Sequence, residues 1–124
     1  MLYHNTLSTT GDFTATGDVT AYSDRKLKKD LNVIDDALER VAELEGYTYT
    51  RKDTGARQTG LIAQDVQKVL PEAVSQTEDG TLTVAYGNMA GLFVNAINEL
   101  TCVLDAAYTE IEDLQQRVKE LERK

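Results

Sequence analysis

"FVNAINELTCVLDAAYTEIEDLQQRVKEL", residues 93–121, carries apolar side chains at alternating steps of four and three. Ile97, Leu104, Ile111 and Val118 fall at heptad position a, and Leu100, Ala107, Leu114 and Leu121 at d. Nearly four heptads run without Gly or Pro after Gly91, so the pattern predicts one long helix from about Asn88 onward. A helix packed only on its own domain shows a broader, less regular stripe, so this seam predicts a coiled coil. Arg117 at g and Glu122 at the following e are opposite in charge, which suits parallel strands. Cys102 lies at f, away from the seam, and reads as a bystander. Ile at a with Leu at d leans toward two strands, but the seam itself fixes association rather than number.

Upstream, residues 23–87 read as a compact mixed domain of α+β class. "LNVIDDALERVAELEG" places Leu31, Ile34, Leu38, Val41, Ala42 and Leu44 at helical spacing, with Gly46 as the expected C-terminal cap. "YTYTRKDTGARQTGLIA" predicts a hairpin that turns through Asp53-Thr54-Gly55 and returns toward Leu61 and Ile62. "AQDVQKVLPEAV" predicts a short helix stopped by Pro71. "TEDGTLTVAY" predicts a second hairpin around Asp79-Gly80, with Leu82, Val84 and Tyr86 on one alternating face.

Composition sets the outer limits. The 124 residues are 41% hydrophobic but only 6% aromatic with no Trp, a thin supply for a monomeric core, so burial in an oligomer is expected. A net charge of −8 argues against nucleic acid and anionic membrane as partners, because phosphate binding needs a basic footprint. No apolar run approaches about 18 residues, so no membrane span is expected. The N-terminus "MLYHNTLSTT" lacks the build of a signal peptide. The single Cys102 forms no internal disulfide, and no spacing suggests a metal site or a cofactor. His4 is the only histidine, so histidine-based catalysis is not expected. The chain reads as cytosolic, or as a piece cut from a larger protein.

Residues 9–22 carry a short repeat, "TTGDFT" then "ATGDVT", whose phase continues into "AYSDRK". Gly-Asp is turn chemistry and the Phe-Thr and Val-Thr pairs favour strand, so each unit predicts a short strand plus a tight turn. Such units bury their apolar face only by stacking on copies or on other chains. At Ser23 the phase persists while the chemistry changes to Arg25, Lys26, Lys28 and Lys29. The seam is therefore a boundary, and Ser23 stands where glycine stood.

The commonplace reading of Ser23-Asp24 is a turn or cap before a solvated lysine run. A phosphate-binding loop is set aside, because no glycine-rich cradle precedes a helix. A third reading is a Ser–Lys nucleophile pair, in which burial lowers the lysine pKa until it can take the hydroxyl proton. Spacing does not choose among Lys26, Lys28 and Lys29. In a straight strand Ser23 and Lys28 point to opposite faces, so pairing them requires a bend.

"SDRKLKKDLNVIDDALERV", "YTY", "GLIAQDVQKVLPEAV" and "DGTLTVAYGNMAGLFVNAINEL", in that order, resemble the C-terminal intramolecular chaperone domain of phage tail spikes and tail fibres. This is the self-cleaving peptidase S74 family of endosialidase tailspikes, L-shaped tail fibres and myelin regulatory factor. The resemblance runs from Ser23 to about Leu100. It implies a homotrimer that guides folding of an upstream β-helical or triple-stranded stalk, then cuts itself off with a Ser–Lys dyad. The family's serine maps to Ser23 and its lysine to Lys28, with Asp24 completing the Ser-Asp pair as a supporting residue and Tyr22–Ser23 as the cut. Residues 1–22 are then the end of a β-helical stalk, a stub of a far longer client with Met1 an added start. Residues 23–87 are the chaperone and autoprotease domain, and 88–124 the trimeric helix. The expected place is the host cytoplasm during virion assembly, with removal from the mature fibre after cleavage. The alternative is a structural trimerisation cap that never cuts.

Overall fold

The structure, a computed structural model, describes residues 6–124; the first five, His4 and Met1 among them, lie outside the described part. The described chain is α+β and divides into two compact units, one ending at Asn32 and one running from Val33 to Lys124.

In the first unit, residues 6–22 are exposed and form no strand, contrary to the expected strand-plus-turn units. A lone strand has no partner for its backbone groups, so the Phe-Thr and Val-Thr pairs cannot express their β preference within one chain. The turn half of the repeat is present: the chain bends at Thr10-Gly11 and again at Thr16-Gly17, the same phase of each repeat. Thr9 Oγ1 accepts from the Gly11 amide at 3.2 Å and fixes the first bend. Leu7, Phe13 and Val19 stand exposed at one phase of the repeat.

The second unit builds from two hairpins and three helices. The helix expected from Leu31 is only α1, Ala37–Ala42. Asp30 and Asp36 adopt left-handed backbone at φ 55 and φ 50, which an α-helix cannot include, so Leu31 and Ile34 fall outside it. Gly46 is not the cap either; the helix closes at Glu43, whose amide donates to Arg40 and Val41. β1, Tyr47–Thr50, pairs antiparallel with β2, Arg57–Gly60, around the expected turn, where Gly55 takes φ 74. The strand stops at Gly60, so Leu61 and Ile62 lie beyond it. α2, Ala63–Val69, ends just before Pro71 as its sequence predicts. β3, Val74–Gln76, pairs with β4, Leu82–Val84, with Gly80 at φ 89 in the turn. Tyr86 leaves that alternation for a 3-10 turn and receives the Leu61 amide on its hydroxyl at 3.0 Å. A Cβ at Gly60 would stand 2.6 Å from that hydroxyl oxygen, so any side chain there would displace the Tyr86 ring.

α3, Ala90–Glu122, spans 33 residues, about 50 Å at 1.5 Å per residue. Its first turns carry the core. Leu92 and Ala96 are buried against Ala37, Val66 and Met89, and Asn95 donates to the Ile34 carbonyl at 3.1 Å. Glu99 accepts from the Ala37 amide at 2.8 Å and the Leu38 amide at 3.4 Å. Those amides open α1 and have no partner within it, and Asp36 supplies no side-chain cap. Arg40 donates from α1 to the Val69 carbonyl at 2.7 Å, which ties α1 to the C-terminal end of α2.

The face of α3 used in this packing is the one opposite the heptad seam. Ile97, Leu100, Leu104, Ile111, Leu114, Val118 and Leu121 remain 43–67% exposed. Only eight hydrophobic residues are buried among those described, against twenty-one large exposed ones, so the thin core expected from composition is what folds. One window of the Tyr86–Glu122 stretch reaches a mean hydropathy of 1.2. Asn95, Asn98, Glu99 and Thr101 interrupt it, however, and its apolar residues divide between two faces, the pattern of an amphipathic helix.

Two measurements check these contacts. Glu99→Ala leaves two amides of α1 uncapped and lowers stability by about 1–2 kcal/mol, read as a reduced urea midpoint at fixed protein concentration. Asp53 accepts from Arg51 at 2.6 and 2.9 Å, and this hydrogen bonding first, then the guanidinium charge, lowers its pKa from 3.8 to about 2. The pair therefore favours the hairpin above the ordinary carboxylate range, and its contribution is lost as pH falls toward 2. Carboxyl NMR titration places the Asp53 midpoint near 2, and Arg51→Ala returns it toward 3.8.

Candidate functional site

Ser23 and Lys28 lie on either side of a short 3-10 turn, Arg25–Leu27. Asp24 stands at its N-cap with extended backbone, φ −65 and ψ 139, and its Oδ1 accepts from the Lys26 amide at 2.9 Å. The Leu27 amide donates to the Asp24 carbonyl and the Lys28 amide to the Arg25 carbonyl, each at 3.0 Å. This turn supplies the bend that pairing across five residues requires. Lys28 Nζ stands 2.6 Å from Ser23 Oγ and donates to it. Lys26 and Lys29 make no such contact among the described hydrogen bonds.

A hydroxyl and an amine at 2.6 Å can exchange a proton in either direction, since the same separation serves an ammonium donating to Oγ and a hydroxyl donating to a neutral amine. Both side chains are exposed in the single chain, so the shielding that a neutral lysine needs is not provided by unit one alone. A shallow cleft of about 450 Å³ runs past Ala21, Tyr22, Ser23, Asp24, Lys26 and Leu27. Tyr22 is 95% exposed, so the Tyr22–Ser23 peptide lies in reach of solvent and of other chains. A second groove, about 510 Å³, follows Ile111, Leu114 and Val118, and is the open seam of α3 rather than a ligand cavity.

Among the described residues no group of three or more His, Cys, Asp or Glu could hold a metal ion. Cys102 is exposed on α3 and stands apart from the seam. Two residues that matter to the geometry carried no clear sequence signal. Glu99 looks like a solvent position of the helix until α1 is seen docked on it. Tyr86 looks like the next residue of β4 until its hydroxyl is seen against Leu61. Asp24 had a signal, the Ser/Asp cap before a helical turn, although nothing in the spacing tied that cap to the reach of Lys28.

The described chain thus combines a small α+β body, a long helix whose heptad residues are exposed, and, earlier in the sequence, a serine hydroxyl that accepts from a lysine. Residues 23–75 belong to the family described as chaperone of endosialidase, peptidase S74. The chain is 41% identical over 92 residues to the long tail fibre protein Gp37 of Escherichia phage AR1, covering 66% of this chain and 8% of that protein. It is 33% identical over 112 residues to Gp37 of Salmonella phage S16, covering 84% of this chain and 14% of that protein. Against Gp37 of Enterobacteria phage M1 it is 40% identical over 94 residues, 68% of this chain and 38% of that protein. The chain thus spans well under half the length of these relatives.

Proposed function

We propose that this chain is the intramolecular chaperone end of a phage tail fibre, which assembles as a parallel homotrimer and then releases itself by autoproteolysis at Tyr22–Ser23. Its family and its likeness to tail fibre proteins support the chaperone role. The observation that carries the chemistry is the 2.6 Å contact between Lys28 Nζ and Ser23 Oγ.

Under this reading residues 1–22 are the last rungs of the client stalk, 23–87 the chaperone and peptidase domain, and 88–124 the trimerising helix. Three stalk chains must come into register before any rung buries its apolar side, a slow non-local step. Seam pairing along α3 raises the effective concentration of the three chain ends. Catalysis then uses Lys28 as a neutral amine. It removes the Ser23 hydroxyl proton as Oγ attacks the Tyr22 carbonyl carbon. The tetrahedral intermediate collapses with loss of the Ser23 nitrogen, which takes the proton back from Lys28 and leaves Tyr22 esterified to Ser23 Oγ. Water hydrolyses that ester, giving a stalk ending in the Tyr22 carboxylate and a chaperone beginning with the free Ser23 amine. Neighbouring chains supply the shielding that keeps the amine neutral, which ties cutting to assembly. The whole sequence runs in the host cytoplasm, without metal or cofactor, before the mature fibre is free of its chaperone. The second reading, an uncut trimerisation cap, draws on the exposure of both dyad side chains in the single chain.

Assembly is tested by light scattering: a trimer at micromolar concentration is expected, and a monomer refutes it. Replacing Ile111 and Leu114 together with Asp places charges at a and d and dissociates the helices. Cleavage is tested by intact-mass measurement. Ser23→Ala and Lys28→Ala leave the chain whole, while Lys26→Ala and Lys29→Ala still cut, and the product begins at Ser23. Full cutting by Lys28→Ala, or a product starting elsewhere, removes the dyad; an uncut wild-type trimer leaves the cap reading.

A further inference from the structure

We infer that Asp24 is a positioning residue that sets the distance between Ser23 and Lys28 by capping the turn between them. The inference rests on the dyad reading above for its consequence in cleavage, but its geometry stands independently. Five residues of extended chain put two side chains on opposite faces. Here the 3-10 turn reverses that relation, and the turn has little else to hold it. It is three residues long, buries no side chain, and contains Arg25 and Lys26 with Lys28 and Lys29 directly behind. Short 3-10 segments have poor hydrogen-bond geometry and are marginal on their own. Two backbone bonds close this one, Leu27 N–H to the Asp24 carbonyl and Lys28 N–H to the Arg25 carbonyl. The Asp24 carboxylate adds a third through the Lys26 amide at 2.9 Å, an amide that the turn leaves without a backbone partner. When that cap opens, Lys28 swings away from Oγ.

A different role for Asp24 makes an opposite prediction. A carboxylate acting through its charge would hold the neighbouring lysine protonated and oppose its use as a base. Removing the charge would then speed cleavage and shift its pH profile. A cap needs only an accepting oxygen, which asparagine supplies as well as aspartate does.

The test uses the full trimeric chain and two readouts. The first is cleavage rate against pH for wild type, Asp24→Asn and Asp24→Ala. Asp24→Asn cuts at the wild-type rate with an unchanged profile. Asp24→Ala slows cutting about fivefold, the factor that about 1 kcal/mol of lost cap represents, also without moving the profile. The second readout is made in the Ser23→Ala background, where no cutting is expected. A nuclear Overhauser contact between the methyl at position 23 and the Lys28 ε protons is expected with Asp24 and with Asp24→Asn, and is lost with Asp24→Ala. An Asp24→Ala chain that keeps the contact overturns the inference, as does an Asp24→Asn chain that loses it or cuts faster. If the wild-type chain never cuts, the peptidase reading fails, while the contact measurement still decides whether Asp24 holds the pair.

Discussion

One helix in this protein has two partners to satisfy. The first turns of α3 present Leu92, Asn95, Ala96 and Glu99 to the small domain, where they meet the buried core and the start of α1. Because these residues take one side of the helix, the heptad residues are left on the other. Ile97, Leu104 and Ile111 are exposed as a consequence of where α1 docks, and no domain residue covers them. Glu99 makes the division firm. Its carboxylate replaces the cap that the left-handed Asp36 cannot give, so α1 sits at one rotation of α3 only.

The same economy of contacts holds at the serine. Nothing buried supports the 3-10 turn of Arg25–Leu27, so its shape comes from three short-range hydrogen bonds. All three bonds join residues of the same short segment, so the Ser23–Lys28 contact draws on no residue distant in sequence. The environment around that contact is a separate matter. An exposed lysine is a poor base at neutral pH, and only a shielding environment makes it a better one. In the proposed mechanism geometry comes from the segment and reactivity from the assembly, which keeps an unassembled chain from cutting too early.

The upstream repeat obeys a similar split. Bends recur at Thr10-Gly11 and Thr16-Gly17, each with a glycine, and the Thr9 side chain closes the first within two residues. Strands do not form there, since a strand needs a neighbour for its amides and carbonyls. Leu7, Phe13 and Val19 keep their phase and remain exposed.

Much of this protein was legible from residue order alone. The long helix and its seam, the turns at Gly55 and Gly80, and the stop before Pro71 all rest on interactions spanning seven residues or fewer. Other features depended on contacts far apart in sequence. The apolar spacing from Leu31 to Leu44 suggested one helix, yet the left-handed Asp36 shortens it and a carboxylate sixty-two residues away starts it. Tyr86 abandons its strand for a hydroxyl contact with Leu61, where Gly60 leaves the hydroxyl room. Among the three lysines that follow Ser23, spacing could not say which would contact it, because the direction of a side chain across a turn depends on which amides that turn satisfies. Periodicity reports what a segment prefers; which face it turns to its neighbours is settled only when those neighbours bring their own unsatisfied groups to it.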